Sequence, residues 1–488
     1  MKQPSVKKNF VFNIFYQILT LITPLITAPY ISRVLGSEGV GIYSFTNSVV
    51  TYFTLFAALG TASYGQREIA MHRNSLEESS KIFWEIEFLS IITTIVTICA
   101  WLTWILLSKQ YTIYYIILTM NVVAVAFDIS WYYAGFEKFQ YIVIRNSIVK
   151  LVGIASIFLF IKNKNDILIY IGIMSATAAL GNISMWTYLP RMLVKVDFKD
   201  LHPIRNHLKQ TSAYFIPTIA TSVYTVLDKT MIGIITNSES QNGYYEQATK
   251  IIRMAESVLF SLNTVMSARQ AFLFSEGKLD EIKDKIIKSF ECLFAIAIPL
   301  MFGLIAIANN FVSWFFGNGY EPVAKIICLM SPLPFVICIS NILGSQYLTP
   351  SGQRVRSTKG IMLGALTNLV LNSVLIPIYG AIGATIASVL AEFVISFIYV
   401  RMSKGFITWK QLGCISERKT VAAIVMFVII YTIGKKDSNS FICTLIQVVI
   451  GIVVYAGTLF ILQDRIIFEV EKIVKGKIKK KWSFWILK

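Results

Sequence analysis

Apolar runs of about twenty residues alternate with short polar loops from one end of this chain to the other, and each run is long enough to cross ~30 Å of hydrocarbon. By the length criterion about fourteen runs can be placed. The first six lie near residues 10–29, 40–61, 82–107, 111–134, 142–161 and 167–189. The next six lie near 212–236, 245–272, 286–308, 322–348, 361–377 and 381–400, and two more near 421–434 and 441–462. The pattern predicts an all-α polytopic membrane protein of about fourteen transmembrane helices.

Some runs carry polar stripes. Asn13, Gln17, Thr20 and Thr27 recur at helical spacing in the first run, with Thr23 and Pro24 between them. Ser44, Asn47, Ser48, Thr51 and Thr54 do so in the second, and Thr218, Thr221, Ser222, Thr225, Asp228 and Lys229 in the seventh. A stripe of this kind faces protein or water rather than lipid. Interhelical hydrogen bonding accounts for any one of them; corresponding stripes in both halves of the chain favour a shared aqueous cavity.

The halves are related by a faint repeat. RVLGSEGVGIYSF turns from one run into the next at Gly41-Ile42-Tyr43, and MIGIITNSESQNGYYEQA does the same at Gly243-Tyr244-Tyr245, an offset of about two hundred residues with about six runs per repeat. An even number of runs keeps both halves in one orientation, so their axis lies along the membrane normal. The expected domains are an N-terminal lobe at 1–200, a C-terminal lobe at 201–402, and two extra helices with a basic tail at 403–488, the loop 191–209 joining the lobes.

Composition agrees: 55% of residues are hydrophobic and 15% charged, against about a quarter charged in soluble domains. The net charge of +18 is scattered over short loops rather than gathered in one patch, which argues against nucleic acid. Alternate loops, starting from the N-terminus, carry most of the Lys and Arg, whereas the opposite set holds Arg33, Lys109, Lys162, Lys164, Lys435 and Lys436, with Lys325 at a span edge. Both termini are therefore expected in the cytoplasm, with an even number of spans. Lys2, Lys7 and Lys8 before an apolar run imitate a signal peptide, but the run's length and the spans that follow mark it as a first, uncleaved helix. The tail EKIVKGKIKKKWSFWILK reads either as an amphipathic stretch on the anionic inner leaflet or as a solvated tail. The six cysteines form no CxxC pair, and His202 and His207 have no metal-site spacing.

Charges inside apolar runs are costly and mark function or pairing. Asp128, Arg145 and Lys150 fall toward the end of their spans where the basic loops lie, the first and last roughly 10–12 Å in. Lys229, Lys250 and Arg253 fall roughly 8–13 Å in from the opposite end. Glu392 is near mid-span. Ion pairing by spacing (Glu246 with Lys250, Arg253 with Glu256, Asp128 with Lys150) is one account. The other is a cationic route for a large anion, favoured because cations outnumber acids in these stretches. Pro24, Pro217, Pro299, Pro332 and Pro334 are candidate hinges or static bends.

RVLGSEGVGIYSF, GTASYGQREIA, DISWYYAGFEKFQYIVIRNSIVK, LDKTMIG, GYYEQATKI, PLMFGLIAIA and NLVLNSVLIPIYGAIGATIASVLAE resemble, in order, the signatures of Wzx-type oligosaccharide flippases, from about residue 8 to about residue 392. That family belongs with multidrug exporters, peptidoglycan-precursor flippases and polysaccharide exporters in one superfamily. The resemblance implies two pseudosymmetric six-helix lobes plus two C-terminal helices around a cationic cavity. It implies a transporter and not an enzyme. Its work would be alternating-access flipping of undecaprenyl-pyrophosphate-linked oligosaccharides to the outer leaflet of a bacterial cytoplasmic membrane. An ion gradient (H+ or Na+) or the membrane potential would drive it. No cofactor is implied, and no GxxxxGK[ST] motif is present. Membrane lipids and polysaccharide polymerase machinery are the further partners expected.

On this reading Arg145, Lys150, Lys229, Lys250 and Arg253 hold pyrophosphate, Asn13, Gln17 and Asn47 take sugar, and Asp128 or Glu392 couples the ion. A peptidoglycan-precursor flippase ranks lower, since those proteins carry arginine in a first span and 10–29 has none. A multidrug exporter follows. A polysaccharide polymerase is the alternative of another class, disfavoured by short outer loops. The choice among capsule, O-antigen and exopolysaccharide stays open.

Overall fold

The computed structural model describes residues 6–197, 201, 204–436 and 440–467; a few residues inside helices are described by their backbone alone. The basic tail beyond 467 lies outside the described residues, as do the side chains of Asn13, Thr221, Thr225 and Pro217. All regular structure among the described residues is helical.

The chain parts into two compact units, Met1–Glu246 and Gln247–Lys488. The first unit opens with α1 (Val6–Ala58), which holds two predicted spans. Helical geometry breaks at Gly36 (φ 69°, ψ 178°), a backbone conformation that a side chain disfavours, and this is the turn within RVLGSEGVG. There follow α2 (Thr61–His72), α3 (Leu76–Leu107), α4 (Thr112–Val125), α5 (Ser130–Gly135), α6 (Phe139–Phe160), α7 (Ile167–Ser184) and α8 (Ile204–Thr236). α3 begins where Ser75 accepts the backbone N–H of Glu78, with Glu77 and Glu78 in its first turn. α9 (Glu239–Ser275) runs from the first unit into the second.

The second unit continues with α10 (Leu279–Phe315), α11 (Glu321–Met330), α12 (Leu333–Ile342), α13 (Arg354–Tyr379), α14 (Ala381–Met402), α15 (Trp409–Lys436) and α16 (Phe441–Ile461). Pro332 stands at the break between α11 and α12, and α12 runs on into a π-helical turn, Leu343–Leu348. Pro24 and Pro299 lie inside continuous helices.

Among the described residues, ten helical stretches are long and apolar enough to cross a membrane. The first of them contains both spans either side of Gly36. α8, α9 and α15, with 33, 37 and 28 residues, match the remaining predicted runs but are more polar. About fourteen helices thus fit the sequence pattern. Large apolar side chains such as Leu106 (86% exposed) and Leu107 cover the outside, as expected for a chain whose solvent is lipid.

In the first unit α1 packs on α3, α4, α6 and α8, and α4 on α7. One buried cluster gathers Ile31, Val49, Trp101, Tyr115 and Leu118, and a second gathers Tyr64, Phe83, Trp131 and Tyr132. In the second unit α10 packs on α11, α12, α15 and α16, and α13 on α14. A fully buried Lys419 on α15 is held there by Glu291 of α10 at 2.5 Å and by Asp464 at 3.1 Å. That residue falls in a predicted basic loop, but the structure makes it a knot between helices.

Candidate functional site

Two cationic places in the first unit can be built from their helices upward. At the first, the fourth span is discontinuous. α4 ends at Val125, α5 begins at Ser130, and Asp128 in the gap accepts the Ser130 backbone N–H at 3.0 Å. Carbonyls freed by the break are satisfied from α7 and the turn after it: Asn182 donates to Ala124 O at 2.8 Å and Trp186 Nε1 to Phe127 O at 3.1 Å. Discontinuous helices of this kind are common at transporter binding sites.

α6 passes this break carrying Arg145 and Lys150, both half-buried. The guanidinium lies against α7 where Gly181 leaves room for it: a Cβ there would sit 3.0 Å from Arg145 Nη1. Arg145 Nε is buried without a hydrogen-bond partner, and Asp128 and Tyr16 are within its electrostatic reach. Lys150 donates to Thr20 Oγ1 at 3.1 Å and sits 5.4 Å from the centre of the Tyr16 ring. Tyr16 of α1 is thus a neighbour of both cations. Neither makes a salt bridge among the described residues. The pairing of Asp128 with Lys150 suggested by their similar depth is not formed, because Asp128 is spent on the α5 turn and faces Arg145 instead.

The second place is a small cleft, partly open to solvent, between α1, α8 and the start of α9. Ser44, Asn47, Ser48, Thr51, Lys229 and Glu246 line it. Lys229 Nζ lies 2.5 Å from Glu246 Oε2, and Ser44 Oγ donates to the same oxygen at 3.0 Å. Asn242 Nδ2 donates to the Lys229 carbonyl at 2.9 Å, and Ser48 bonds Thr230 at 2.9 Å. Tyr245 donates to Asp228, which fixes that acid away from the cleft pair.

This cleft is also where the repeat meets itself. Ser44 and Glu246 are equivalent positions, 202 residues apart. A Cβ at Gly41 would collide with the Glu239 carbonyl, and one at Gly243, its equivalent, with the Ser37 carbonyl. The two glycines let the two turns cross backbone to backbone.

Residues 6–267, more than half the chain, match the sequence profile of the family described as polysaccharide biosynthesis protein. The chain belongs to this family. Among its relatives, a protein of Escherichia coli K12 designated an O-antigen transporter is 27% identical over 82% of this chain and 98% of its own length. One of Shigella dysenteriae with the same designation is 24% identical over 82% of this chain and 100% of its own. Among solved structures, a lipid II flippase MurJ in an inward closed conformation superposes with a TM-score of 0.71 at 17% identity, covering 94% of this chain and 99% of that one. An inward-facing multidrug resistance MATE transporter gives 0.62 at 12% identity, covering 82% and 96%. At those identities the structures speak for the fold alone.

For this member of the polysaccharide biosynthesis family, the other anticipated residues fall as follows. Gln17 is exposed on α1 one turn before Thr20, and Asn47 lines the cleft. Lys250 is half-buried and Arg253 exposed on the part of α9 in the second unit, where Glu256 is within electrostatic reach of Arg253 and of Glu392. Sequence reading missed Glu246 as the partner of Lys229. It also passed over two acids buried in α3, Glu85 and Glu87, each 1% exposed. The signal for them was present: an ionisable residue inside an apolar run.

Proposed function

We propose that the protein is a flippase that carries pyrophosphate-linked oligosaccharides on a polyprenyl lipid, of the undecaprenyl class, from the inner to the outer leaflet of the bacterial cytoplasmic membrane by alternating access. The observation that carries this reading is the pair Arg145 and Lys150, two half-buried cations without a salt bridge beside a broken helix. A pyrophosphate supplies the missing acceptors, and charge-assisted hydrogen bonds to it are stronger than neutral ones. Thr20 and Gln17 on α1 extend a polar surface toward sugars, and Tyr16 offers a ring face. The relatives designated O-antigen transporters support the substrate class.

The cleft at Lys229 is the second station of the route. There the cation is held by Glu246, so an arriving pyrophosphate must displace the carboxylate. Lys250 and Arg253 serve the same outer level, with Asp128 and Glu392 as groups through which an ion gradient acts. The lobes 1–200 and 201–402 rock against each other, the segment 403–488 is appended, and both termini are cytoplasmic.

Native mass spectrometry of the detergent-purified protein tests the substrate class. Retention of a polyprenyl-pyrophosphate oligosaccharide over the matching monophosphate lipid and over cationic drugs is the expected result. Preference for the drugs would move the protein to the multidrug exporters, and glycosidic bond formation between two such lipids would move it to the polymerases.

A further inference from the structure

Eleven residues into α3, Glu87 is 1% exposed, and neither of its carboxylate oxygens has a hydrogen-bond partner. That position is roughly 16 Å along the helix from its start. The residue is unlike the other inward-placed acids described in the first unit. Glu85, two residues earlier, accepts from His207 Nε2 at 2.7 Å, and Tyr64 holds the other nitrogen of that ring at 2.8 Å. Glu246 has Lys229 and Ser44. Asp128 has the Ser130 amide. A carboxylate stripped of water and given no donor costs several kcal/mol, whereas the neutral acid costs far less.

The charged surroundings are simple. α3 packs on α1, α2, α4 and α8. Among the described residues, the charged group within electrostatic reach of Glu87 is Asp128, in the gap after α4. From α2, Arg67 pairs with Glu68 at 3.7 Å and donates to Tyr214. From α8, His207 is taken by Glu85. Asp128 in turn reaches Arg145. Glu87 to Asp128 and Asp128 to Arg145 thus make a row of electrostatic links that ends at a cation of the proposed pyrophosphate site.

We propose that Glu87 is a proton-binding site, carrying an exchangeable proton that is linked through Asp128 to anion binding at Arg145. The ligand is a proton rather than a sodium ion, because a metal cation needs a shell of oxygen ligands and no group of acids, histidines or cysteines that could hold one is gathered at Glu87 among the described residues. The chemistry is a single transfer: the Glu87 O–H bond breaks, the proton passes to water when the site opens, and the carboxylate is left. With the proton on, the row holds one negative charge. With it off, the row holds two, and a second anion beside Arg145 is repelled. By linkage, proton binding and pyrophosphate binding therefore favour each other.

The inference rests on the proposed function, and the test separates the two. The full-length protein is studied in nanodiscs with farnesyl pyrophosphate as the probe. Infrared difference spectra across a pH titration read the protonated carboxyl directly, without any substrate. A buried-acid band in the wild type that is absent in Glu87→Gln is expected. Binding of the probe should tighten as pH falls, by up to roughly tenfold per unit, and Glu87→Gln, which mimics the neutral acid, should bind tightly at every pH. A folded Glu87→Gln variant that keeps the same band, or the same pH slope, overturns the proton site. A titrating band at Glu87 in a protein that binds no pyrophosphate lipid would sustain the proton site and overturn the flippase reading instead.

Discussion

At Lys229 a half-buried cation stands inside a membrane helix beside hydroxyl groups, and Glu246 answers its charge at 2.5 Å. Removing one partner strands the other, whereas removing both strands none. Lys229→Ala should therefore lower stability by about 3–5 kcal/mol, and Lys229→Ala with Glu246→Ala should recover most of that loss. Thermal unfolding in detergent measures both; equal losses in the single and double variants would show that the pair carries no coupling. The sequence pointed to Lys229 and offered Glu246 only as an i,i+4 neighbour of Lys250. Helical spacing describes one helix, and Glu246 meets α8, the helix before its own. Arg145 and Lys150 were legible because a cation in an apolar run is rare; their shared neighbour Tyr16 was not, since nothing in the chain says that α1 crosses α6 there.

At the scale of elements, most spans were legible because their length is set by the bilayer and their turns by glycine and charge. The turn at Gly36 and the break at Pro332 fall where the residues place them. The gap between α4 and α5 was not visible, because its breaking residues, Ala126 to Ile129, contain neither proline nor glycine, and the freed carbonyls are satisfied from elsewhere. The repeat was seen as a likeness of two turns; that the turns touch is a fact of packing. It gives a prediction. Gly41→Val places a side chain against the Glu239 carbonyl, and overpacking of this kind costs about 1–3 kcal/mol or more. A lower melting temperature is expected for Gly41→Val and for Gly243→Val. An exposed glycine such as Gly413, which has nothing within 4 Å, should accept alanine without loss. An unchanged melting temperature for Gly41→Val would mean that the turns do not cross so closely.

For the whole molecule, the proposed orientation rests on loop charge. In a cysteine-free background, Lys109→Cys should react with a membrane-impermeant maleimide added outside intact cells, and Lys404→Cys only after permeabilisation. The reverse pattern would invert the proposed direction of transport. The central claim is that a pyrophosphate lipid crosses by way of Arg145 and Lys150. The most direct measurement is flipping of a pyrophosphate-linked oligosaccharide in liposomes holding the purified protein, wild type against Lys150→Ala and Arg145→Ala. Each lost charge-assisted contact weakens binding by about 1.5–3 kcal/mol, so each variant should slow subsaturating transport by roughly ten- to a hundredfold while remaining folded and inserted. Folded variants that flip at the wild-type rate would contradict the account.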